Sequence, residues 1–257
     1  MGDDSPRGLA SLGAIALRAI LPGTMSAIVF AVALLAAAAA PAQAKVQNLY
    51  HPGKQTFFAF VDQPVAAHAQ AKDSARTVGR LKTRTGDKTD ELVLILASTT
   101  DKQDQTWYQV RLPIRPNGTK GWVPAEALSE PQPLDTWLKI NTSAFTVTLI
   151  KKGKKVFSAR AGVGQPQWAT PKGQFYIRSK LTGYGSAGSF YGPVAFGTSA
   201  TSDTLTDWPG GGYVGVHGTN QPGLIPGRIS HGCVRLKNAD IVRLSKLMPV
   251  GTPVTIS

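Results

Sequence analysis

The chain opens with one long apolar run and then turns to short segments in which apolar and polar residues alternate. Residues 27–40 are an unbroken apolar stretch of 14 residues. Beyond it, 92–96 is a short continuous apolar run and 107–112 alternates with a period of two, and both features are typical of β-strands. Further strands are predicted at 121–124, 137–141, 145–150, 156–161, 173–177 and 254–256. The pattern therefore predicts a mainly β protein.

The apolar run near the start has the flanks of a secretory signal peptide. Arg7 and Arg18 precede it, and the small-x-small sequence Ala42-Gln43-Ala44 follows it. Fourteen residues are fewer than the ~20 that a membrane span needs. We therefore expect residues 1–44 to be an export signal, with an uncleaved N-terminal anchor as the alternative because the basic region is long. Either interpretation places the folded part outside the cytoplasm, with no integral membrane segment after signal removal.

Two prolines divide the β pattern into two modules. Pro131 and Pro133 predict a linker at 131–135, which leaves a first module at 45–130 and a second at 136–257. Closely spaced short strands in the first module predict a small barrel. The segment WYQVRLPIRPNGTKGWVP within it resembles bacterial Src-homology-3-like wall modules over about 70 residues. This resemblance implies a wall-targeting or spacer role, although a barrel that only supports its neighbour explains the same pattern.

The second module contains a glycine-rich stretch and a short helix. Residues 183–227 include 12 glycines, which predicts a long loop that covers a functional site. Asn238 is the predicted N-cap of a helix that stops before Pro249. The apolar face of this helix comprises Ile241, Leu244, Leu247 and Met248.

Composition narrows the class of protein further. With 257 residues, 42% hydrophobic and 17% charged, the chain is globular, and one cysteine allows no intramolecular disulfide. The net charge of +13 favours anionic partners, whereas export argues against nucleic acid. The charge is concentrated in the second module, since 135–257 carries 14 basic and 4 acidic residues while 45–134 carries 12 and 9.

The single cysteine is the most informative residue. Cys233 follows Ser230-His231-Gly232, and His217 lies 16 residues earlier. A cysteine nucleophile needs an imidazole that takes the thiol proton and later protonates the leaving amine. If the segment after Cys233 is a strand, Arg235 projects to the same face and can hold a substrate carboxylate.

Two other interpretations explain a cysteine and histidines at this spacing. A free cysteine is most often a small buried apolar residue. Alternatively, Cys233, His217 and His231 would be three zinc ligands. No carboxylate lies between 208 and 239 to serve as the base of such a zinc site.

The motif as a whole resembles the L,D-transpeptidase catalytic domain. It consists of His217-Gly218-Thr219, ten further residues, and then Ser230-His231-Gly232-Cys233. The flanking segments TPKGQFYI, YGPVAFG, HGTNQPGLIPG and VGTPVTIS are also similar to that family. The resemblance covers about 136–257 and implies a β-rich catalytic domain with a short C-terminal helix, behind a Src-homology-3-like barrel.

The resemblance also implies roles for individual residues. Cys233 would be the nucleophile, His217 the proton donor and acceptor, and the backbone at Gly232 and Cys233 the oxyanion donor. His231 and Ser230 would orient the imidazole or hold the loop. Gly218 stands where some relatives have a hydroxyl residue, so the third member of the triad stays open and a backbone carbonyl is one solution. The implied substrate-binding residues are Arg235, Gly218, Thr219, Tyr191 and Phe196.

The implied reaction is a two-step acyl transfer on peptidoglycan stem peptides. A tetrapeptide donor would lose its terminal D-Ala and form a thioester, and the side-chain amine of a diaminopimelate-containing acceptor would resolve it into a 3→3 cross-link. Water as acceptor would instead give L,D-carboxypeptidase activity. The resemblance implies no metal or organic cofactor, and it implies acylation by carbapenem-type inhibitors. A non-catalytic wall-binding protein is the alternative from a different class.

Overall fold

The computed structural model describes residues 45–183, 188–202, 204 and 212–257. The expected export signal and part of the glycine-rich stretch lie outside these residues. The described residues are mostly β-strand, which confirms the predicted fold class. Within them there is one α-helix, and no helix is long and apolar enough to cross a membrane.

The strands from the first part of the described chain form one sheet. In order, they are β1 (Gln47–Asn48), β2 (Thr56–Phe60), β3 (Val65–His68), β4 (Thr77–Leu81), β5 (Leu92–Thr100), β6 (Thr106–Arg111), β7 (Lys120–Pro124) and β8 (Gln132–Leu134). The sheet order is β4-β3-β7-β6-β5-β2-β8, and β1 also pairs with β5. The apolar run that predicted β5 is buried in the middle of this sheet. All its pairings are antiparallel.

The segment predicted as a linker contains a strand instead. Gln132–Leu134 pairs with β2, and Phe57 lies opposite Pro133. Proline has no backbone N–H, so it is tolerated in a strand at the edge of a sheet, where β8 lies. The two prolines that suggested a break in structure therefore mark an edge strand.

The remaining strands form a second, mixed sheet. They are β9 (Thr136–Asn141), β10 (Thr146–Lys151), β11 (Lys154–Arg160), β12 (Gly162–Gly164), β13 (Gly173–Thr182), β14 (Val194–Thr201), β15 (Tyr213–His217), β16 (Gly227–Ser230), β17 (Val234–Arg235) and β18 (Pro253–Ile256). The sheet order is β11-β10-β9-β18-β13-β14-β15-β17-β12-β16. The helix α1 (Asn238–Leu247) buries Ile241 and Leu244 in the core of this sheet, which the apolar spacing predicted.

A shared apolar cluster joins the two sheets. Phe58, Leu92 and Leu94 from the first sheet pack with Tyr176 from the second. The Tyr176 hydroxyl donates a hydrogen bond to the Leu92 carbonyl at 3.1 Å. Gly251 has a φ of +80°, and a Cβ there would lie 2.5 Å from the Phe58 ring. The two sheets therefore belong to one compact unit.

Candidate active site

Two parallel strands bring the predicted nucleophile and base together. β15 pairs with β17 so that Val216 lies opposite Val234 and His217 lies opposite Arg235. Side chains alternate along a strand, so Gly215 and His217 share one face of β15, and Cys233 and Arg235 share the matching face beside it. The Gly215 N–H donates to Cys233 Sγ at 3.3 Å. The strand register thus explains why residues 16 apart in sequence become neighbours.

Gly215 lies beside both the thiol and the imidazole. A Cβ on Gly215 would lie 3.7 Å from His217 Cδ2 and 3.8 Å from Cys233 Sγ. Both side chains therefore flank the same point above the backbone. A Cβ at this position would therefore contact both side chains.

The environment of His217 fixes its charge and its tautomer. The ring is buried, with 2% of its surface exposed. Burial lowers the pKa of His217 to about 4; the hydrogen bond to Gly218 opposes this shift and the Arg235 charge adds to it. His217 Nδ1 lies 2.6 Å from the Gly218 carbonyl oxygen and must donate to it, so the neutral ring has its lone pair on Nε2. Among the described residues, Nε2 has no hydrogen-bond partner.

Cys233 is an uncharged thiol in this environment. Burial raises the pKa of the Cys233 thiol, while the Gly215 N–H and the Arg235 charge lower it by smaller amounts. Positive charge near a thiol stabilises its thiolate form. Arg235 does act in that direction, but the loss of hydration outweighs it.

The turn before Cys233 is held by Ser230. Its hydroxyl donates to the Cys233 carbonyl at 2.5 Å and accepts the Gly232 N–H at 3.2 Å. Gly232 has a φ of +119°, a conformation that residues with a side chain rarely adopt. The Gly232 N–H, which the sequence assigned to the oxyanion, is therefore bonded to a hydroxyl in this structure.

A second support of this turn, Thr170, was not identified from the sequence. Its hydroxyl donates to the Gly232 carbonyl at 2.8 Å and accepts the Gly164 N–H at 2.9 Å. Thr170 is the first residue of the segment TPKGQFYI, which the family resemblance singled out without giving it a role. A buried threonine that faces two backbone groups gives no periodic signal in a single sequence.

The loop after His217 is held by the start of the helix. Asn238 Oδ1 accepts the Thr219 N–H at 2.9 Å, and Lys237 rather than Asn238 occupies the N-cap position. The N-cap prediction for Asn238 was therefore wrong by one residue. Thr219, predicted to bind substrate, is buried and uses its hydroxyl to accept the Gln221 N–H at 3.0 Å. Gly218 contributes its carbonyl to His217, as the backbone alternative for the triad anticipated.

An aromatic and cationic cluster borders the imidazole. The Tyr191 ring lies 5.0 Å from the His217 ring, and the Phe190 ring lies 6.2 Å from it. The Arg235 guanidinium lies over the Phe190 ring at 4.4 Å, and its Nη1 is 3.5 Å from Gln221 Oε1. The structure places Tyr191 and Arg235 near the site, as predicted, and adds Phe190, which is 44% exposed.

Phe196 does not lie in the site, contrary to prediction. Its ring is fully buried in the core of the second sheet. Phe196 lies opposite Val216 in the ladder, and residues opposite each other share a face. It therefore points away from the face that carries His217.

His231 is separate from the buried pair. It is exposed, and its ring stands edge-on to the Trp168 ring at 4.2 Å. Across the described residues, no group of three or more His, Cys, Asp or Glu side chains is arranged to hold a metal ion.

Comparison with known proteins identifies the family. Residues 135–256 match the YkuD family, described as the L,D-transpeptidase catalytic domain. YkuD of Bacillus subtilis, named as a candidate L,D-transpeptidase, is 30% identical over 131 residues, which cover 51% of this chain and 71% of YkuD. YqjB of the same organism, named in the same way, is 32% identical over an alignment that covers 49% of this chain and 74% of YqjB. The chain therefore belongs to the L,D-transpeptidase family, whose members are enzymes of the acyltransferase type.

Solved structures give a weaker likeness. L,D-transpeptidase 3 from Mycobacterium tuberculosis, in complex with a faropenem-derived adduct, matches with 15% identity and a TM-score of 0.38. The match covers 60% of this chain and 91% of that chain.

Proposed function

We propose that this protein is an L,D-transpeptidase that forms 3→3 peptidoglycan cross-links through a thioester on Cys233. One observation carries the proposal. The neutral His217 ring donates through Nδ1 to the Gly218 carbonyl, its Nε2 has no partner among the described residues, and Gly215, which donates to Cys233 Sγ, lies beside the same ring. This is the arrangement that a general base for a thiol requires.

In the first step, Cys233 Sγ attacks the carbonyl carbon at the L-centre of diaminopimelate, the third residue of a tetrapeptide stem. His217 Nε2 takes the thiol proton as the S–C bond forms. The C–N bond to the terminal D-Ala then breaks, and the protonated imidazole gives its proton to the leaving amine. A thioester remains on Cys233, and the Gly218 carbonyl stabilises the transient imidazolium through Nδ1.

In the second step, the side-chain amine of an acceptor stem attacks the thioester carbon. His217 takes a proton from this amine and returns one to the sulfur as the C–S bond breaks. The products are the cross-linked stems and the free thiol. With water in place of the amine, the same steps release a tripeptide, which is the L,D-carboxypeptidase reaction.

Two further groups are assigned within this proposal. Arg235 holds a substrate carboxylate, supported by its buried position and by an Nε that has no hydrogen-bond partner among the described residues. The backbone at Gly232 and Cys233 receives the oxyanion. Because the Gly232 N–H is bonded to Ser230 in the free protein, the oxyanion competes with that hydroxyl for the donor.

The proposal extends to the rest of the chain. Residues 1–44 direct export, 45–130 form a Src-homology-3-like wall module, and 136–257 form the catalytic domain. The positive charge of the last segment supports binding of carboxylate-bearing stems in the cell wall.

A carbapenem tests the nucleophile. We expect intact-mass spectrometry to show one added carbapenem mass on the wild type and none on Cys233→Ala, because ring opening by the thiol retains the whole inhibitor. His217→Gln should form the adduct more slowly by about 100-fold or more. A folded wild type that stays unmodified would remove Cys233 as a reactive group.

Tetrapeptide stems test the reaction itself. We expect a cross-linked dimer with loss of one D-Ala. Tripeptide without dimer would identify an L,D-carboxypeptidase, and wall binding without either product would identify a non-catalytic binding protein. Cys233→Ala serves as the control for any contaminating hydrolase.

A further inference from the structure

Two contacts from the side of the first sheet support one residue pair of the second sheet. We call this pair the rung, and the second sheet the catalytic sheet. This rung is the pair Thr201 and Tyr213, where the end of β14 meets the start of β15. Tyr213 is the first residue of the strand that carries Gly215 and ends at His217. A contact that fixes the Thr201–Tyr213 pair therefore also fixes the first residue of β15. This strand holds His217, the proposed base, and the Gly215 N–H, which donates to the Cys233 thiol.

Asn117 makes the first contact, from the turn between β6 and β7. Its Nδ2 donates to the Thr201 carbonyl at 2.8 Å, and its Oδ1 accepts both the Thr201 N–H and the Thr201 hydroxyl at 3.0 Å. The amide thus satisfies the two backbone groups of one residue at once, as a neighbouring strand would. The two residues are 84 positions apart in sequence, so this contact depends on the packing of the two sheets.

Glu91 makes the second contact, through Arg178. The Glu91 carboxylate binds the Arg178 guanidinium through two hydrogen bonds, one of them 2.7 Å from Nε to Oε1, and both side chains are buried. The guanidinium in turn lies over the Tyr213 ring, 4.4 Å from its centre. The charged pair fixes the guanidinium, and the guanidinium fixes the tyrosine ring.

The β14–β15 ladder of the catalytic sheet is irregular beside this rung. The β14–β15 ladder is regular from Ala195–His217 to Gly197–Gly215, and then its register shifts before Thr201–Tyr213. Such an irregularity interrupts the hydrogen bonds that would otherwise transmit position along the strand. Within the sheet, the Gly212 carbonyl accepts the Ser202 N–H at 2.9 Å and the Val214 carbonyl accepts the Thr198 hydroxyl at 2.6 Å, and the contacts from the first sheet add to this support.

We infer that Asn117 and Glu91 are positioning residues for the reactive thiol site. They hold the start of β15 and thereby set where the Gly215 N–H and His217 stand relative to Cys233. The inference rests on the proposed function only in taking Cys233 as the reacting group. It gives the first module a part in the chemistry, beyond binding to the wall.

The test uses the full chain and two measurements that do not require transpeptidation. The first is the rate at which iodoacetamide alkylates Cys233 between pH 6 and pH 10, a reaction in which sulfur displaces iodide. The second is native hydrogen exchange over 213–217, with α1 as the internal reference. The variants are Asn117→Ala, Asn117→Asp and Glu91→Gln. Gln174→Ala is the matched control, because Gln174, on β13, accepts an Arg111 hydrogen bond across the same interface rather than bonding to Thr201 or Tyr213.

We expect Asn117→Ala and Glu91→Gln each to change the rate of Cys233 alkylation by about 10- to 100-fold and to shift its pH profile. In both variants, hydrogen exchange over 213–217 should become faster while α1 stays protected. Asn117→Asp, which retains the acceptors for the Thr201 N–H and hydroxyl, should recover part of the effect. Gln174→Ala should behave as wild type. Unchanged profiles in both variants, or exchange that rises equally across the whole unit, would reject the positioning role. Failure of the stem assay alone would reject the proposed reaction and leave these measurements standing.

Discussion

At the scale of single residues, burial decides the charge state of both reactive groups. His217 and Cys233 each lose hydration, which lowers the pKa of the imidazole and raises that of the thiol. Both groups are therefore neutral at rest, and in the proposed mechanism the proton moves as the sulfur attacks. The hydrogen bond from Nδ1 to the Gly218 carbonyl makes this possible, because it leaves Nε2 ready to accept.

The lowered pKa of His217 predicts acid sensitivity. Its pKa falls from 6.5 in the unfolded chain to about 4 in the folded protein, so between these values only the unfolded state binds the proton. The stability contribution is complete above pH 6.5 and is lost as pH falls towards 4, amounting to about 3 kcal/mol. Urea unfolding of wild type and His217→Gln across this range measures it, with His231→Gln as the control. Equal pH slopes for wild type and His217→Gln would contradict the prediction.

Gly215 offers a second test at this scale. Alanine adds a Cβ at van der Waals distance from His217 Cδ2 and Cys233 Sγ, so the fold should tolerate it while the space beside both groups is filled. We expect Gly215→Ala to slow carbapenem acylation by about 10- to 100-fold. Gly223→Ala is the matched control, because its Cβ would meet nothing within 4 Å. Wild-type acylation by Gly215→Ala would show that this space is not used.

At the scale of elements, the sequence predicted which segments are strands better than it predicted what supports the site. Apolar alternation located β6 and β10 to within a residue or so, because burial on one face of a sheet imposes that pattern. The strand β8 was not predicted, because its prolines suggested a linker, whereas an edge strand can contain proline. The roles of Thr170 and Asn238 were not predicted either, because polar contacts between distant segments leave no periodic pattern in the sequence.

Substitutions of Thr170 provide a test at the scale of elements. Thr170→Val removes the hydroxyl and leaves the Gly164 N–H and the Gly232 carbonyl without that partner, at a cost of about 1–3 kcal/mol in unfolding free energy. We also expect slower acylation of Cys233, since the turn that presents it loosens. Thr170→Ser retains the hydroxyl and should restore both quantities. Denaturant unfolding and the carbapenem rate provide the measurements, and full activity in Thr170→Val would show that Ser230 alone holds the turn.

At the scale of the whole molecule, the two parts of the chain differ in net charge and in what they contribute to the buried interface. The first sheet is nearly balanced in charge and supplies the buried carboxylate of Glu91, whereas the catalytic part carries most of the net positive charge. The unequal charge was evident from composition. The buried interface between the two sheets was not evident, because two independent modules joined by a linker fit the same sequence.

The charge of the catalytic part predicts sensitivity to salt. Raising ionic strength from about 0.01 M to about 0.1 M shortens the screening length from ~30 to ~10 Å, so attraction of an anionic stem weakens. We expect kcat/KM for an acidic tetrapeptide to fall several-fold over this range. The rate with neutral iodoacetamide should stay constant and serves as the control. A salt-independent kcat/KM would assign substrate capture to local contacts alone.

The neutral, enclosed state of Cys233 also has a consequence for how the protein survives between turnovers. Thiolates, not protonated thiols, attack peroxides and disulfides. A nucleophile that stays protonated until a substrate enters resists conversion to the sulfenic and higher acids. In the proposed mechanism, the burial that makes the resting sulfur a poor nucleophile would also slow its oxidation, which matters in a chain that has a single cysteine and no second thiol.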